Sequence, residues 1–179
     1  MTRTADIVRR PSTGSGWGLT ALRVLTGALM AGHGLQKLAG WFGGGGLEPT
    51  AAGFDRMGLR PGRHHAIAAG VTEAVSGAAS VLGAATPLAS AMTTGTMTVA
   101  IGTVHGRNGP WVTKGGYEYN ATLLAVAFAL AAAGPGRAAV DGTLLRRRAG
   151  LGWAVGQLAL GAGCALAVMW NARRAPVVE

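Results

Sequence analysis

Five apolar runs, at roughly residues 17–39, 65–85, 87–106, 117–133 and 150–170, constrain this chain more than any other feature. At about 1.5 Å per residue each is long enough, or nearly so, to cross a hydrocarbon core of about 30 Å. Inside such a core every backbone N–H and C=O must find its partner within the protein, so the runs are predicted to be helices. Only 13% of the 179 residues are charged and 49% are hydrophobic, which excludes an ordinary soluble domain. The expected fold is all-α: a polytopic integral membrane protein with an antiparallel four-helix transmembrane bundle and one extra C-terminal transmembrane helix at its periphery.

The charges lie between the runs. A net charge of +9 is carried largely by arginines in "IVRR", "RPGRHH" and "LLRRRAG", as for loops at a membrane surface that orient spans and touch anionic lipid. A nucleic-acid site would need a continuous basic face, and here the spans interrupt it. Counted by side, the cations nearly balance; the tight group Arg146 to Arg148 between two spans favours an N-terminus inside. The first run holds Arg23 and is about twenty residues long, so it reads as a retained span rather than a signal peptide. The chain then divides into a cytoplasmic tail (1–16), a four-helix membrane core (17–142), and a basic loop, fifth helix and short tail (143–179).

Local signals fit this division. Pro87 in "AATPLA" suits the first turn of a helix after a tight turn, and Gly134, Pro135 and Gly136 end the fourth run. Residues 49–58 could form a short helix with Pro49 at its start, its apolar side chains resting on the membrane surface or capping a cavity.

The polar residues within the runs are the candidates for function, because a charge at mid-bilayer costs about 3 kcal/mol on insertion scales. On the first run Arg23, Gly27, Met30, Gly34 and Lys37 share one helical face, with His33 close beside Lys37. The second carries Glu73 between Gly70 and Gly77, and Lys37 is its simplest partner. On the third, Thr94, Thr98, Ile101 and His105 follow one face, while Glu118 and Asn120 open the fourth at "EYN". Topology brings His33, Lys37, Glu73, His105, Glu118 and Asn120 to similar depth near the outer leaflet, as one ligand pocket or as an ion-pair network fixing helix register. At the other end Arg23 and Asp141 are expected to form a structural ion pair. No metal is expected, since the Lys37 ammonium would repel a cation from the histidines and carboxylates. The single Cys164, with no CxxC, cannot run dithiol chemistry, so any redox cofactor must be bound rather than intrinsic.

Taken together, "LRVLTGALMAGHGLQKLAGWF", "AAGVTEAVSGAASVLGAATPLAS", "AIGTVHGRNGPWVTKGGYEYNATLLAVAFAL" and "GPGRAAVD" resemble the DoxX family of bacterial four-helix membrane proteins over about residues 19–142. The matching positions are Arg23, Gly34 with Lys37, Glu73, His105, Glu118 to Asn120, and Asp141. The resemblance implies a bacterial plasma membrane protein similar to the membrane subunit of thiosulfate:quinone oxidoreductase, with relatives tied to membrane oxidoreductase complexes. Under that reading a quinone headgroup would meet Glu73, His105 and Glu118 as catalytic groups and His33, Lys37 and Asn120 as ligand-binding groups. A soluble redox partner or second subunit would supply electrons, and a homo-oligomer is allowed. The alternative is a non-catalytic membrane scaffold or small-molecule or lipid-binding protein that docks a soluble partner.

Overall fold

In the computed structural model the described residues are 13–143, 148–172 and 174. The tail through residue 12, with Arg3, Arg9 and Arg10, lies outside them, as do Arg146, Arg147 and Arg173. The apolar runs become α1 (Thr13–Ala39), α3 (Gly62–Leu82), α4 (Thr86–Ala100), α5 (Glu118–Ala133) and α6 (Leu151–Ala172), with a short α2 (Leu47–Arg56) in the first connection. By length and composition α3 and α6 are apolar enough to cross a membrane, and α5 is a shorter apolar helix. Pro49 falls within the first turn of α2 instead of at its start, behind Leu47 and Glu48.

The interior is small and polar and the exterior is large and apolar. Arg23, Glu73, Ser76, Thr94, Asn120 and Gln157 are buried, and most buried hydrophobics are alanines. Leu25, Leu29, Val71, Val75, Leu158, Leu160 and Leu166 are exposed. A soluble bundle sorts side chains the other way; this sorting suits helices packed in lipid, where small residues allow close approach and the outer surface faces acyl chains. All five tryptophans are exposed, and each stands at or beside a helix end or in a connection: Trp17 and Trp153 at one end of the bundle, Trp41, Trp111 and Trp170 at the other. Indoles in two such belts mark membrane–water interfaces.

α1 packs along α3 through glycine. A Cβ on Gly34 would lie 2.5 Å from Ala74 N and Gly70 O, and one on Gly77 would strike the backbone of Ala31 and Gly27. The spacing Gly27–Gly34 on α1 therefore meshes with Gly70–Gly77 on α3, and this crossing brings Lys37 against Glu73. Gly34→Leu is expected to destabilise the protein by at least about 1–3 kcal/mol, read as a lower thermal midpoint in detergent. Gly152→Leu, where a Cβ meets nothing within 4 Å, should leave the midpoint unchanged; equal effects of the two would rule out a tight α1–α3 crossing.

α4 packs on α3, α5 and α6. α6 seats one stripe, Ala154, Gln157, Gly161 and Ala165, against α4 and α5 and leaves its other face exposed. Gly161 fits beside the Ala91 carbonyl and Thr94, and Thr94 Oγ1 donates to Gln157 Oε1 at 2.8 Å.

Candidate functional site

Glu73 is the centre of the site. It projects from the middle of α3 with 7% of its side-chain surface exposed, and its Oε2 meets Lys37 Nζ at 2.5 Å. Lys37 is the shallower partner, at 26% exposure, and also reaches the His33 carbonyl at 3.5 Å. Oε1 of Glu73 makes no hydrogen bond among the described residues.

The end of α1 organises a second set of groups. Gln36 Nε2 donates to the Phe42 carbonyl at 3.3 Å, which turns its amide oxygen toward His33 Nδ1, 2.9 Å away. An acceptor at that position requires the proton on Nδ1, so in the neutral ring Nε2 keeps its lone pair. The His33 ring meets Tyr119 edge to face with centroids 6.2 Å apart, and Tyr119 lies within the field of the Glu73 carboxylate. Tyr119, from the first turn of α5, is thus the member of "EYN" that joins this group.

The other predicted site residues are placed differently. Asn120 is buried and donates to Met97 Sδ at 3.4 Å, next to the Met30–Met97–Leu123 core. Glu118 begins α5, half-buried, and its carboxylate has no hydrogen-bond or ion-pair partner among the described residues. His105 ends a π-helical turn, Ile101–His105, and its Nδ1 bonds the Gly115 carbonyl at 2.7 Å. A π turn holds more residues than an α turn, so the face traced from Thr94 through Ile101 is rotated before it reaches His105. The structure brings together His33, Lys37 and Glu73; no contact links His105, Glu118 or Asn120 to them.

On its other side Glu73 borders a cavity of about 190 Å³ between α3, α4 and α6. Ala69 and Thr72 of α3, Met92 and Val99 of α4, and Cys164 and Val168 of α6 line it, and Phe54 and Leu59 cover one end. His65, two turns before Glu73 on α3, shares the wall; its spacing to Ala69 and Thr72 is helical and could have been read from the sequence. Cavities of roughly 150 Å³ with apolar walls accept a benzene-sized ring. The cavity therefore has room for one aromatic or quinoid headgroup, with a single carboxylate on its wall.

The expected Arg23–Asp141 ion pair is not formed. Arg23, 2% exposed, spends all five N–H donors on backbone carbonyls: Nε on Pro135 at 2.7 Å, Nη1 on Ser80 at 2.9 Å and on Val81, and Nη2 on Arg137 at 3.1 Å and Ala138 at 2.6 Å. Two of these carbonyls lie in the last turn of α3 and three belong to the loop after α5. Asp141 accepts from Ala85 N at 2.9 Å and Thr86 N at 2.7 Å, capping α4 and holding Ala85 at its φ of +48°. Loop donors and acceptors, which charge sign alone does not reveal, take both side chains.

An all-helical bundle with a polar interior, a lipid-like exterior and a buried glutamate paired to a half-buried lysine beside an apolar cavity is a membrane protein with a candidate intramembrane ligand site. A family model for DoxX matches residues 18–106, and the chain is a DoxX family protein. The match takes in Arg23, His33, Lys37, Glu73 and His105 and stops before α5, so Glu118, Asn120 and Asp141 lie beyond it. No curated protein and no solved structure matches the chain.

Proposed function

We propose that the chain is a multi-pass subunit of a quinone-linked membrane oxidoreductase in the bacterial plasma membrane, with its N-terminus cytoplasmic. In this reading α1, α3, α4 with its π-helical extension, and α5 form the transmembrane bundle, and α6 is a fifth span. The observation that carries the proposal is the Glu73 carboxylate, set between an apolar cavity of about 190 Å³ and the Lys37–His33 group.

A quinone, when bound, supplies two-electron chemistry coupled to protons. The chain's own residues do the rest. The apolar walls from α3, α4 and α6 hold a ring and exclude water. Glu73 Oε1 would carry a proton to the ring at the cavity wall, the Lys37 ammonium balances the carboxylate left behind, and His33 Nε2, on the Lys37 side of Glu73, would hold the second proton that reduction takes up. Electrons come from a small reduced donor, a soluble redox partner or a second subunit, because one cysteine supports no dithiol relay.

The test is direct. Organic extracts of the protein purified from quinone-containing membranes should contain quinone in near-stoichiometric amount, and Ala69→Phe, which fills the cavity from α3, should lower that content about tenfold. Extracts free of quinone, or equal quinone in both proteins, would leave the non-catalytic binding or scaffold reading.

A further inference from the structure

At the opposite end from Lys37, a second groove of about 360 Å³ runs between the start of α4 and the first turns of α6. Its floor is apolar, from Pro87, Leu88 and Leu160. Two polar features break that surface. The Arg148 guanidinium stacks over the Trp153 ring, 5.7 Å from its centroid, at the mouth. Gln157, one helical turn deeper, is 3% exposed, and its Nε2 is buried with no hydrogen-bond partner.

An orphan amide N–H in a nonpolar setting is costly unless something accepts from it. Among the described residues no group supplies that acceptor. Thr94 already occupies Gln157 Oε1. Among the described residues no carboxylate lines the groove, and its one formal charge is the Arg148 cation. Because Trp153 and Gln157 are four residues apart, the guanidinium over the indole and the free amide are separated by about 6 Å along the helix. That is the depth order of a glycerophospholipid: phosphate at the interface, ester carbonyl just below it, acyl chains deeper.

We propose that this groove seats an anionic phospholipid, with its phosphate on Arg148 and a glycerol-ester carbonyl accepting from Gln157 Nε2. Trp153 flanks the headgroup, and the chains lie along Leu88 and Leu160. The lipid would join the start of α6 to α4. The inference is independent of the quinone reading, since it uses none of the residues around Glu73.

Native mass spectrometry of the purified full chain, titrated in parallel with phosphatidylglycerol, phosphatidylcholine and glycerol 3-phosphate, tests it. The wild type should retain phosphatidylglycerol about tenfold over phosphatidylcholine and should not hold glycerol 3-phosphate. Arg148→Gln, at an exposed position, should bring the two lipids level, and Gln157→Glu should repel the anionic lipid. Arg137→Gln removes the other cation stacked on tryptophan at this end, over Trp17, and should keep the preference. Equal retention of both lipids by the wild type, an unchanged preference in Arg148→Gln, an equal loss in Arg137→Gln, or capture of glycerol 3-phosphate would each overturn the proposal. If Gln157→Glu fails to fold, the Arg148 and Arg137 pair still decides it.

Discussion

Glu73→Gln is expected to abolish quinone retention while lowering the thermal midpoint only slightly. The substitution keeps the size of the side chain, and its amide oxygen can still accept from Lys37. The ammonium left behind is on the shallower side of the pair, 26% exposed against 7% for Glu73, so it can recruit water or headgroup oxygens. Lys37→Met should also lose quinone but should destabilise the protein strongly. It strands a carboxylate that is nearly sealed from solvent, a change that costs about 3–5 kcal/mol when a buried pair is broken. The double variant should recover much of that loss, because no unpaired charge remains, and yet still fail to hold quinone. Stability separates the two single variants, and ligand retention unites them. If the double variant regained both stability and normal quinone content, the pair would be a structural tie and the proton-accepting role of Glu73 would be wrong.

The parts of this architecture that depend on helical period were legible in the sequence. Arg23, Gly27, Met30, Gly34 and Lys37 recur at steps of four and three, and all but the terminal Lys37 are buried. Gly70 and Gly77 flank Glu73 at the same spacing, so close packing of α1 on α3 and the Lys37–Glu73 contact follow from the pattern. What could not be read depended on departures from that period or on backbone partners. The π turn at Ile101–His105 moved His105 off the extrapolated face and onto the Gly115 carbonyl. In "EYN" the acid and the amide looked like the functional groups, but the 100° step between neighbours on a helix sent Asn120 to Met97 and left Tyr119 facing His33. His65 and Gln36 went unnoticed because one sits in a basic, loop-like stretch and the other is a single uncharged amide beside Lys37. The polar stripe of α6 was missed for a simpler reason: Gln157 is a single uncharged residue in an otherwise apolar run, and its meaning depends on Thr94 of a helix remote in the chain.

The largest stability effect is expected at Arg23, where charge is the lesser part of the role. Five carbonyls converge on one guanidinium, drawn from the end of α3 and from the loop that follows α5. That loop is also pinned by Val140 N to Leu82 O at 3.1 Å and Asp141 N to Gly83 O at 2.8 Å, and by Thr20 Oγ1 to Arg137 O at 2.7 Å. Arg23 therefore ties α1, the α3–α4 turn and the exit from α5 into one unit. Arg23→Lys keeps the positive charge but offers three donors from a single point instead of five from a planar fork. At least two carbonyls lose a charged donor, and at about 1.5–3 kcal/mol for each hydrogen bond to a charged group the loss should reach about 3–6 kcal/mol. Arg23→Met leaves the Val81, Pro135 and Ala138 carbonyls without that donor while Ser80 keeps Gly83 N and Arg137 keeps Thr20 Oγ1; at about 1–3 kcal/mol for each unsatisfied group the loss approaches the whole stability of a typical domain, and no folded protein is expected. Asp141→Asn removes the nearest acid, whose field reaches Arg23, yet its amide oxygen can still cap one of the two N–H groups at the start of α4. Its cost should be only about 1–2 kcal/mol. Thermal unfolding of the three variants in detergent orders these effects. An Arg23→Lys protein as stable as the wild type, with Asp141→Asn strongly destabilised, would mean that attraction between opposite charges holds this end of the bundle and that the carbonyl cap does not.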